Sequence, residues 1–487
     1  MLGVHSLNVG VGSNLTESTE EGDSYTGVGF VNPDMVFIGA AISFEENSSP
    51  NGSYDKSRLV GFFGNVNYGY DNRYFLDLSF RTDGSSKFGR NSRFAPFWSV
   101  GVAWNVHKEA FWSGDEKSSL KLRASVGSTG TTNFSSTQAL TTYNYDFSKI
   151  YNGVFGVSLA GYGNPELKWQ NTISYNVGVD MTLLKGLVTF NGDFYIKNTE
   201  NLLLPLTVAP STGFSSYVEN IGKLRNTGIE GRLRLNLIRD TQRDLRWNVT
   251  LSAFHNKSKI TKLSNQLEEI NKYANSDWYN QGTVVYRQYE AGRSQTALMM
   301  VRSGGIDPAT GNEVYIKRNG ELTFEYDAND KVKCGDMKPT IEGNVNTNLT
   351  WKGFTLYMLF KYQFGAKAYN GTLASKVEGA NPYKNADKRV LYDRWKEPGD
   401  HAKFRRIDDR TSPYQTTRLV FDNDLFSLSS VSLSYELPRD ISQKIYADRV
   451  RLMLSTTDVF RLSTIKQERG TSYPFARTFN LSLNFPF

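Results

Sequence analysis

The last stretch of the chain, Arg477 to Phe487, reads RTFNLSLNFPF and alternates apolar with polar positions. Phe479, Leu481, Leu483, Phe485 and Phe487 share one parity, and Thr478, Asn480, Ser482 and Asn484 share the other, so an extended strand sends the two sets to opposite faces. The same period of two recurs upstream. Val60, Phe62, Val66, Tyr68 and Tyr70 lead through Asp71-Asn72 into Tyr74, Leu76, Leu78 and Phe80, the pattern of a hairpin. Trp98 to Trp104 and Leu120 to Val126 repeat it, as do Ile173 to Leu183 and, after Lys185-Gly186, Val188 to Ile196. From Gly228 to Ile238, Ile229, Leu233, Leu235 and Leu237 face one way while Glu230, Arg232, Arg234 and Asn236 face the other, which demands a hydrated side. Further strands are predicted from Trp247, over Asn344–Trp351, Phe354–Phe364 and Leu428–Leu437, through Val450–Leu454, and near the N-terminus, for about fourteen in all.

An apolar face of this kind needs an apolar partner, and the chain offers few amphipathic helices to cover it. A lipid bilayer serves instead: segments of about ten alternating residues are what a transmembrane barrel requires, since its backbone groups must be paired without water. The connections point the same way. Asp71-Asn72, Lys185-Gly186, Arg239–Asp244 and Lys352-Gly353 are tight, whereas Thr129–Leu167, Glu200–Arg225, Ser258–Thr340 and Ala366–Asp424 are long. Outer-membrane barrels pair short periplasmic turns with long extracellular loops. Trp98, Trp104, Trp169, Trp247 and Trp351 are expected in an interfacial aromatic belt. Gly84–Ser92 is brief for a long-side loop, Val106–Ser119 is long for a tight turn, and Met35–Phe44 is a candidate for a further strand.

Composition changes this picture little. Aromatics are 13% and charged residues 22% of the 487 residues, with no apolar run near the roughly 18 residues of a spanning helix. The formal charge of +7 is scattered and gives no reason to expect nucleic-acid binding. Cys334 is the only cysteine, so there is no internal disulfide and no CxxC site. The opening residues MLGVHSLNVGVG show no signal peptide, although an exported barrel needs one. His5, His107, His255 and His401 lie far apart without metal-ligand spacing, and no cofactor, metal or catalytic residue is expected. Asp83-Gly84-Ser85-Ser86 and Asp307–Glu313 read as turns rather than metal loops, and Arg405-Arg406 with Asp408-Asp409-Arg410 reads as a solvated mixed-charge loop.

The run RYFLDLSFRTDGSSKFG at Arg73–Gly89, the Phe94–Ser99 stretch and KLRASVGSTG from Lys121 together resemble the barrel of SusC/RagA-type TonB-dependent transporters. GNPELKWQNTISYNVGVD from Gly163, FYIKNTENLLL from Phe194, STGFSSYVENIGKLRNTGIEG from Ser211, GIDPATGNEVY from Gly305 and RWKEPGD from Arg394 continue the resemblance in order. It implies an all-β fold, an antiparallel transmembrane β-barrel with about fourteen of the family's roughly twenty-two strands here and long extracellular loops. Residues 1–487 then map onto the C-terminal part of the barrel, without the plug or the TonB-contacting segment. Near the C-terminus KQERGTSYPFAR departs from the family's usual Gly-Tyr-Asp-Pro-Glu-like stretch, keeping only Tyr473-Pro474.

The function implied is TonB-dependent nutrient import through the Gram-negative outer membrane. The implied partners are a SusD-like surface lipoprotein, the TonB-ExbB-ExbD complex acting through the missing N-terminal part, outer-membrane lipid, and an oligosaccharide or peptide substrate. Two other readings are a smaller passive pore, since fourteen strands could close, and a soluble β-rich adhesin. Candidate ligand contacts are loop aromatics, because sugars stack on such rings. Tyr143, Tyr145, Phe147, Tyr151, Phe155 and Tyr162 crowd one loop, and Tyr273, Trp278, Tyr279, Tyr286 and Tyr289 another. The same rings could equally pack against one another or against the lipoprotein cap. Phe487 is the candidate signal for the barrel-assembly machinery.

Overall fold

The computed structural model describes residues 3–24, 26–32, 34–35, 37–45, 51–115, 117–132, 135, 138–207, 216–220, 222–263, 271, 275, 288–381, 383, 385–409, 411–465 and 476–486. Fourteen strands form one sheet in which each is hydrogen-bonded to the next in the chain. They are β1 His5–Ser24, β2 Asn51–Tyr70, β3 Tyr74–Ser85, β4 Phe94–Asn105, β5 Ser119–Thr131, β6 Gln170–Leu183 and β7 Val188–Glu200. The second half comprises β8 Lys223–Asp240, β9 Leu245–Lys262, β10 Ile341–Trp351, β11 Phe354–Phe364, β12 Leu425–Glu436, β13 Arg451–Ser463 and β14 Phe479–Asn484. Every ladder in this sheet is antiparallel. No ladder joins β1 to β14 among the described residues, so the sheet is open and a self-closed fourteen-stranded pore is not what is seen.

Two rows of cross-strand partners, one residue apart, show how alternation becomes a two-faced wall. Met181 lies opposite Phe190, then Leu233, Leu251, Val345, Phe360 and Leu428 across seven strands. The adjacent row is Asp180, Asn191, Arg232, Ser252, Asn344, Lys361 and Ser427. One row is wholly apolar and the other wholly polar. The apolar face is uncovered: Val177, Ile229 and Leu433 are 61%, 56% and 45% exposed. A soluble monomer rarely leaves so continuous an apolar surface open to water.

The tight ends are formed by the residues that their geometry requires. Asp71 and Asn72 have φ of 50° and 52°, and Lys352 and Gly353 have 45° and 83°. Positive φ at both central positions is the hairpin turn whose twist matches that of the strands. Aromatic side chains gather at this end. Tyr70 stacks on Tyr74 and Tyr74 on Trp104, with centroids 6.4 and 6.5 Å apart, and the Lys352 ammonium lies 5.7 Å over the Trp351 ring. Trp104 and Trp351 thus stand where a belt would put them.

Three expectations are corrected. Trp169 is buried, not in a belt: it stacks on Phe88 at 4.2 Å and meets Phe97 edge-on at 5.3 Å, because the Gly89 amide bonds to Leu167 O and folds the 86–93 connection onto it. Among the described residues Met35–Phe44 adds no strand to the fourteen-stranded sheet; Ser43–Phe44 pairs with Gly27–Val28 in a separate two-stranded sheet. Asp83, Gly84 and Ser85 are not a turn but the end of β3: Asp83 and Gly84 are held by ladders to both β2 and β4, and Ser85 pairs with Leu59 of β2.

Most of the packed core lies outside the wall. Among the described residues the largest fully buried side chains are Phe88, Leu167, Leu298, Met300, Val301, Val377, Thr416 and Ser442, and every one is in a connection between sheet strands.

Candidate functional site at the long-loop end

The polar face carries a network suited to water. Arg123 Nε donates to Asp180 Oδ2 at 2.7 Å and its Nη2 to Asp193 at 3.2 Å, while Asn191 donates to Asp180 at 2.8 Å. Gly178 makes room for this, since a Cβ there would stand 2.8 Å from the Arg123 guanidinium carbon. Near the other edge Arg81 bonds to Asp83 at 2.5 Å and to Asn14 at 2.9 Å.

Above the wall, the described residues of 288–340 and 365–424 fold into one layer. Two of the resemblance motifs, nearly ninety residues apart, dock on each other in it. Asp307 accepts from the Thr310 amide and hydroxyl at 3.0 and 2.6 Å, making the 307–311 turn that the sequence suggested. Gly311, at φ 72°, lies flat beneath Trp395, whose ring a Cβ would approach to 2.5 Å. Trp395 Nε1 and the Gly399 amide both donate to Pro308 O, at 2.9 and 2.8 Å. Asp400 ties the RWKEPGD segment by accepting from the amides of Lys396 and Glu397.

Beneath these motifs lies a charged core. Arg418 bridges Glu313 and Glu378 at 2.9 and 2.6 Å, Arg405 reaches Glu378 at 2.8 Å and Asp409 at 2.5 Å, and Thr416 donates to Glu313 at 2.7 Å. Arg394 satisfies the backbone oxygens of Val377, Glu378, Arg405 and Arg406. Burial alone would lower the pKa of Arg418, but the carboxylates of Glu313 and Glu378 raise it above the ordinary arginine value. Burial pushes Tyr315 and Tyr369 upward, with Glu313 and Glu378 adding to it. Arg405 is therefore not part of a solvated loop, as its sequence neighbours suggest; Arg406 and Asp408 beside it are. Val377, Phe404 and Leu419, each next in sequence to a charged member (Glu378, Arg405 and Arg418), pack with Ala374 and Val390 into an apolar cluster. A layer so cross-linked can present a fixed surface above the polar face of the wall.

Lys331 is buried in the same layer, which takes its pKa from the ordinary 10.5 down to about 8. Such a lysine costs stability in full below about pH 8, where the folded chain must bury its charge, and the cost fades as pH rises to the unfolded value, so the layer should become more stable from about 8 to about 10.5. Proteolysis of the 288–340 loop, followed over that range, should slow with rising pH. Lys331→Met should flatten the profile, and an unchanged slope in the variant would assign it to another group.

The predicted ligand contacts divide. Tyr143, Tyr145 and Tyr151 lie on one strand of a hairpin, Thr142–Tyr151 paired with Val154–Gly161, and Phe155 lies on the other. Tyr143, Tyr151 and Tyr162 are 62%, 88% and 51% exposed. The side chains of Tyr145 and Phe147 lie outside the described set, as do Tyr273, Trp278, Tyr279, Tyr286 and Phe487. Tyr289 is held at its backbone by Asn271. Sequence reasoning missed Glu313, Glu378 and Arg418. Glu313 shares its parity with buried Tyr315, the one available signal, but its partners are some hundred residues away.

Comparison with known proteins adds to this geometry. The family model described as "TonB dependent receptor-like, beta-barrel" matches residues 2–375. "TonB-dependent receptor P3" of Formosa agariphila is 28% identical over 530 aligned residues, covering 100% of this chain and 51% of the relative. "TonB-dependent receptor SusC" of Bacteroides thetaiotaomicron is 25% identical over 393, covering 75% of this chain and 38% of the relative. The RagAB peptide transporter superposes with a TM-score of 0.81 at 22% identity, over 95% of this chain and 50% of that one. The chain spans about half the length of the curated relatives it matches.

Proposed function

The chain belongs to the TonB-dependent receptor-like β-barrel family, and from that membership we propose that it forms the loop-bearing part of the wall of an outer-membrane importer powered through TonB. Members of this family are outer-membrane proteins that cross the bilayer with strands, and no helix among the described residues is long and apolar enough to do so. The observation that carries the reading is the pairing of an uncovered apolar face with a hydrogen-bonded polar one, capped at a single end by a cross-linked loop layer. Such a wall forms one side of a hydrated path and bears loops that shape its mouth.

The substrate proposed is a glycan fragment or a peptide, held between the loops and a SusD-like lipoprotein. The exposed tyrosines of the 142–161 hairpin, Tyr143 and Tyr151, offer rings for stacking, and RagAB is described as a peptide transporter. Uptake of labelled oligosaccharide and peptide mixtures should be measured in cells carrying the protein, with and without TonB. Accumulation that needs TonB is expected. Accumulation that continues without TonB would replace the importer by a passive pore, and none in either background would remove the transport reading.

A further inference from the structure

A basic cavity opens where β9 outruns its neighbour. β9 runs to Lys262, but its ladder to β10 stops at Phe254 opposite Glu342, leaving the stretch beyond without a strand on that side. The backbone of 292–293 crosses over it, with Gly292 N bonded to Ile260 O and Ile260 N to Arg293 O, both at 2.8 Å. The cavity, of about 390 Å³, is lined by Lys257, Lys259, Arg293, Lys333 and Lys338 against the single carboxylate of Asp336. Arg293 has Glu290 at 3.6 Å, and Asp336 is occupied by the Thr296 hydroxyl at 2.5 Å and the Lys338 amide at 3.1 Å. Among the described residues the four lysines form no ion pair. Across the β8–β9 ladder, Arg225 stands directly opposite Lys259, a like-charge pairing that costs stability unless an anion lies over it.

The side of the wall is set by parity. His255, Lys257 and Lys259 continue the series Val249, Leu251 and Ala253, whose partners Leu235, Leu233 and Gly231 lie on the apolar face. Leu251 is midway between Trp247 and His255, and Lys257 is six positions further on. At about 3.4 Å per residue and a tilt of about 40° this puts Lys257 roughly 15 Å above Leu251, just beyond the edge of an apolar band about 25 Å tall. Directly below, an apolar furrow of about 490 Å³ shares His255 with the basic cavity. Val177, Phe194 and Ile229 form its rim, and Gly192, Gly231 and Ala253 leave its floor low.

We infer that this place binds a phosphorylated, acylated lipid of the outer leaflet, its phosphate among Lys257, Lys259, Lys333 and Lys338 and one chain in the furrow below. A free anion would use the cavity but have no need of the furrow. Charge and apolar depth occur together here at the height where a headgroup meets its chains.

The test uses the protein purified from outer membranes in mild detergent and titrated with diphosphorylated lipid A, bound lipid being counted by native mass spectrometry. Dephosphorylated lipid A and inorganic phosphate are the comparison probes. One saturable diphosphorylated lipid is expected, weakened by added salt. The combined Lys257→Gln, Lys259→Gln and Lys338→Gln variant should bind it at least about tenfold more weakly, each cation near the surface being worth several-fold. Ala253→Leu, which fills the furrow and keeps every charge, should weaken lipid binding while leaving inorganic phosphate unaffected. Heat-modifiable migration verifies that both variants are folded. Equal binding of the phosphorylated and dephosphorylated lipids would overturn the site, as would a triple variant within about twofold of the parent. Displacement by inorganic phosphate together with an inert Ala253→Leu would reduce it to a free-anion site.

Discussion

Glu378→Ala is expected to loosen the whole layer built from residues 288–340 and 365–424, by about 3–5 kcal/mol. Its side chain is 0% exposed, and the Arg405 and Arg418 side chains that it pairs are only 7% and 10% exposed. Removing it leaves Arg418 with Glu313 and Arg405 with Asp409 as sole ion-pair partners among the described residues and takes one negative charge from a buried cluster. Hydrogen exchange across 297–336 and 366–422 should accelerate together, because the two segments share the charge cluster. Asp408→Ala is the contrast: its partner Arg406 is 42% exposed, and loss of so exposed and solvent-screened a pair should leave exchange across the layer as it is in the parent. Equal protection in the Glu378 variant and the parent would show that the cluster does not hold the layer together.

Leu233→Arg should destabilise the wall by about 2–4 kcal/mol in lipid, the cost of a charge facing the bilayer near its midplane. Leu233 sits in the apolar row between Phe190 and Leu251. Arg234, one residue on, faces the other way among Thr189 and Thr250, so Arg234→Ser should cost little. Refolding into vesicles, read by heat-modifiable migration, separates the two. Comparable losses from both substitutions would deny the wall its distinct faces.

The wall was legible because its constraint is local. A period of two and a turn pair such as Lys352-Gly353 need no distant partner to be read, and Phe354–Phe364 has the bounds that its pattern predicts. Position was less legible than periodicity: Trp169 carries the same alternation as Trp351, yet a fold of the 86–93 connection buries one while the other stays at the belt. The layer above was opaque for a different reason. Glu313, Glu378 and Arg418 gain their meaning only from contacts across long sequence separations, and an acidic residue before a glycine, as in Glu378-Gly379, reads locally as solvated. The candidate ligand tyrosines were legible as a cluster, since pairing brings 142–151 against 154–161, but what they touch is a property of the mouth and not of the hairpin.

The neighbouring rows through Leu233 and Arg232 also govern how such a chain can change length over generations. One residue inserted within β8 would send each later side chain of that strand to the wrong solvent, arginines into lipid and leucines into water. Two inserted residues would restore the faces and merely lift the register. Length change in the wall is therefore tolerated in even steps, or where a bulge absorbs the odd residue, as between Asn236 and Ile238. The long connections obey no such arithmetic. Descendants of one ancestral wall can thus drift freely in what they present outward while remaining nearly quantised in how they cross.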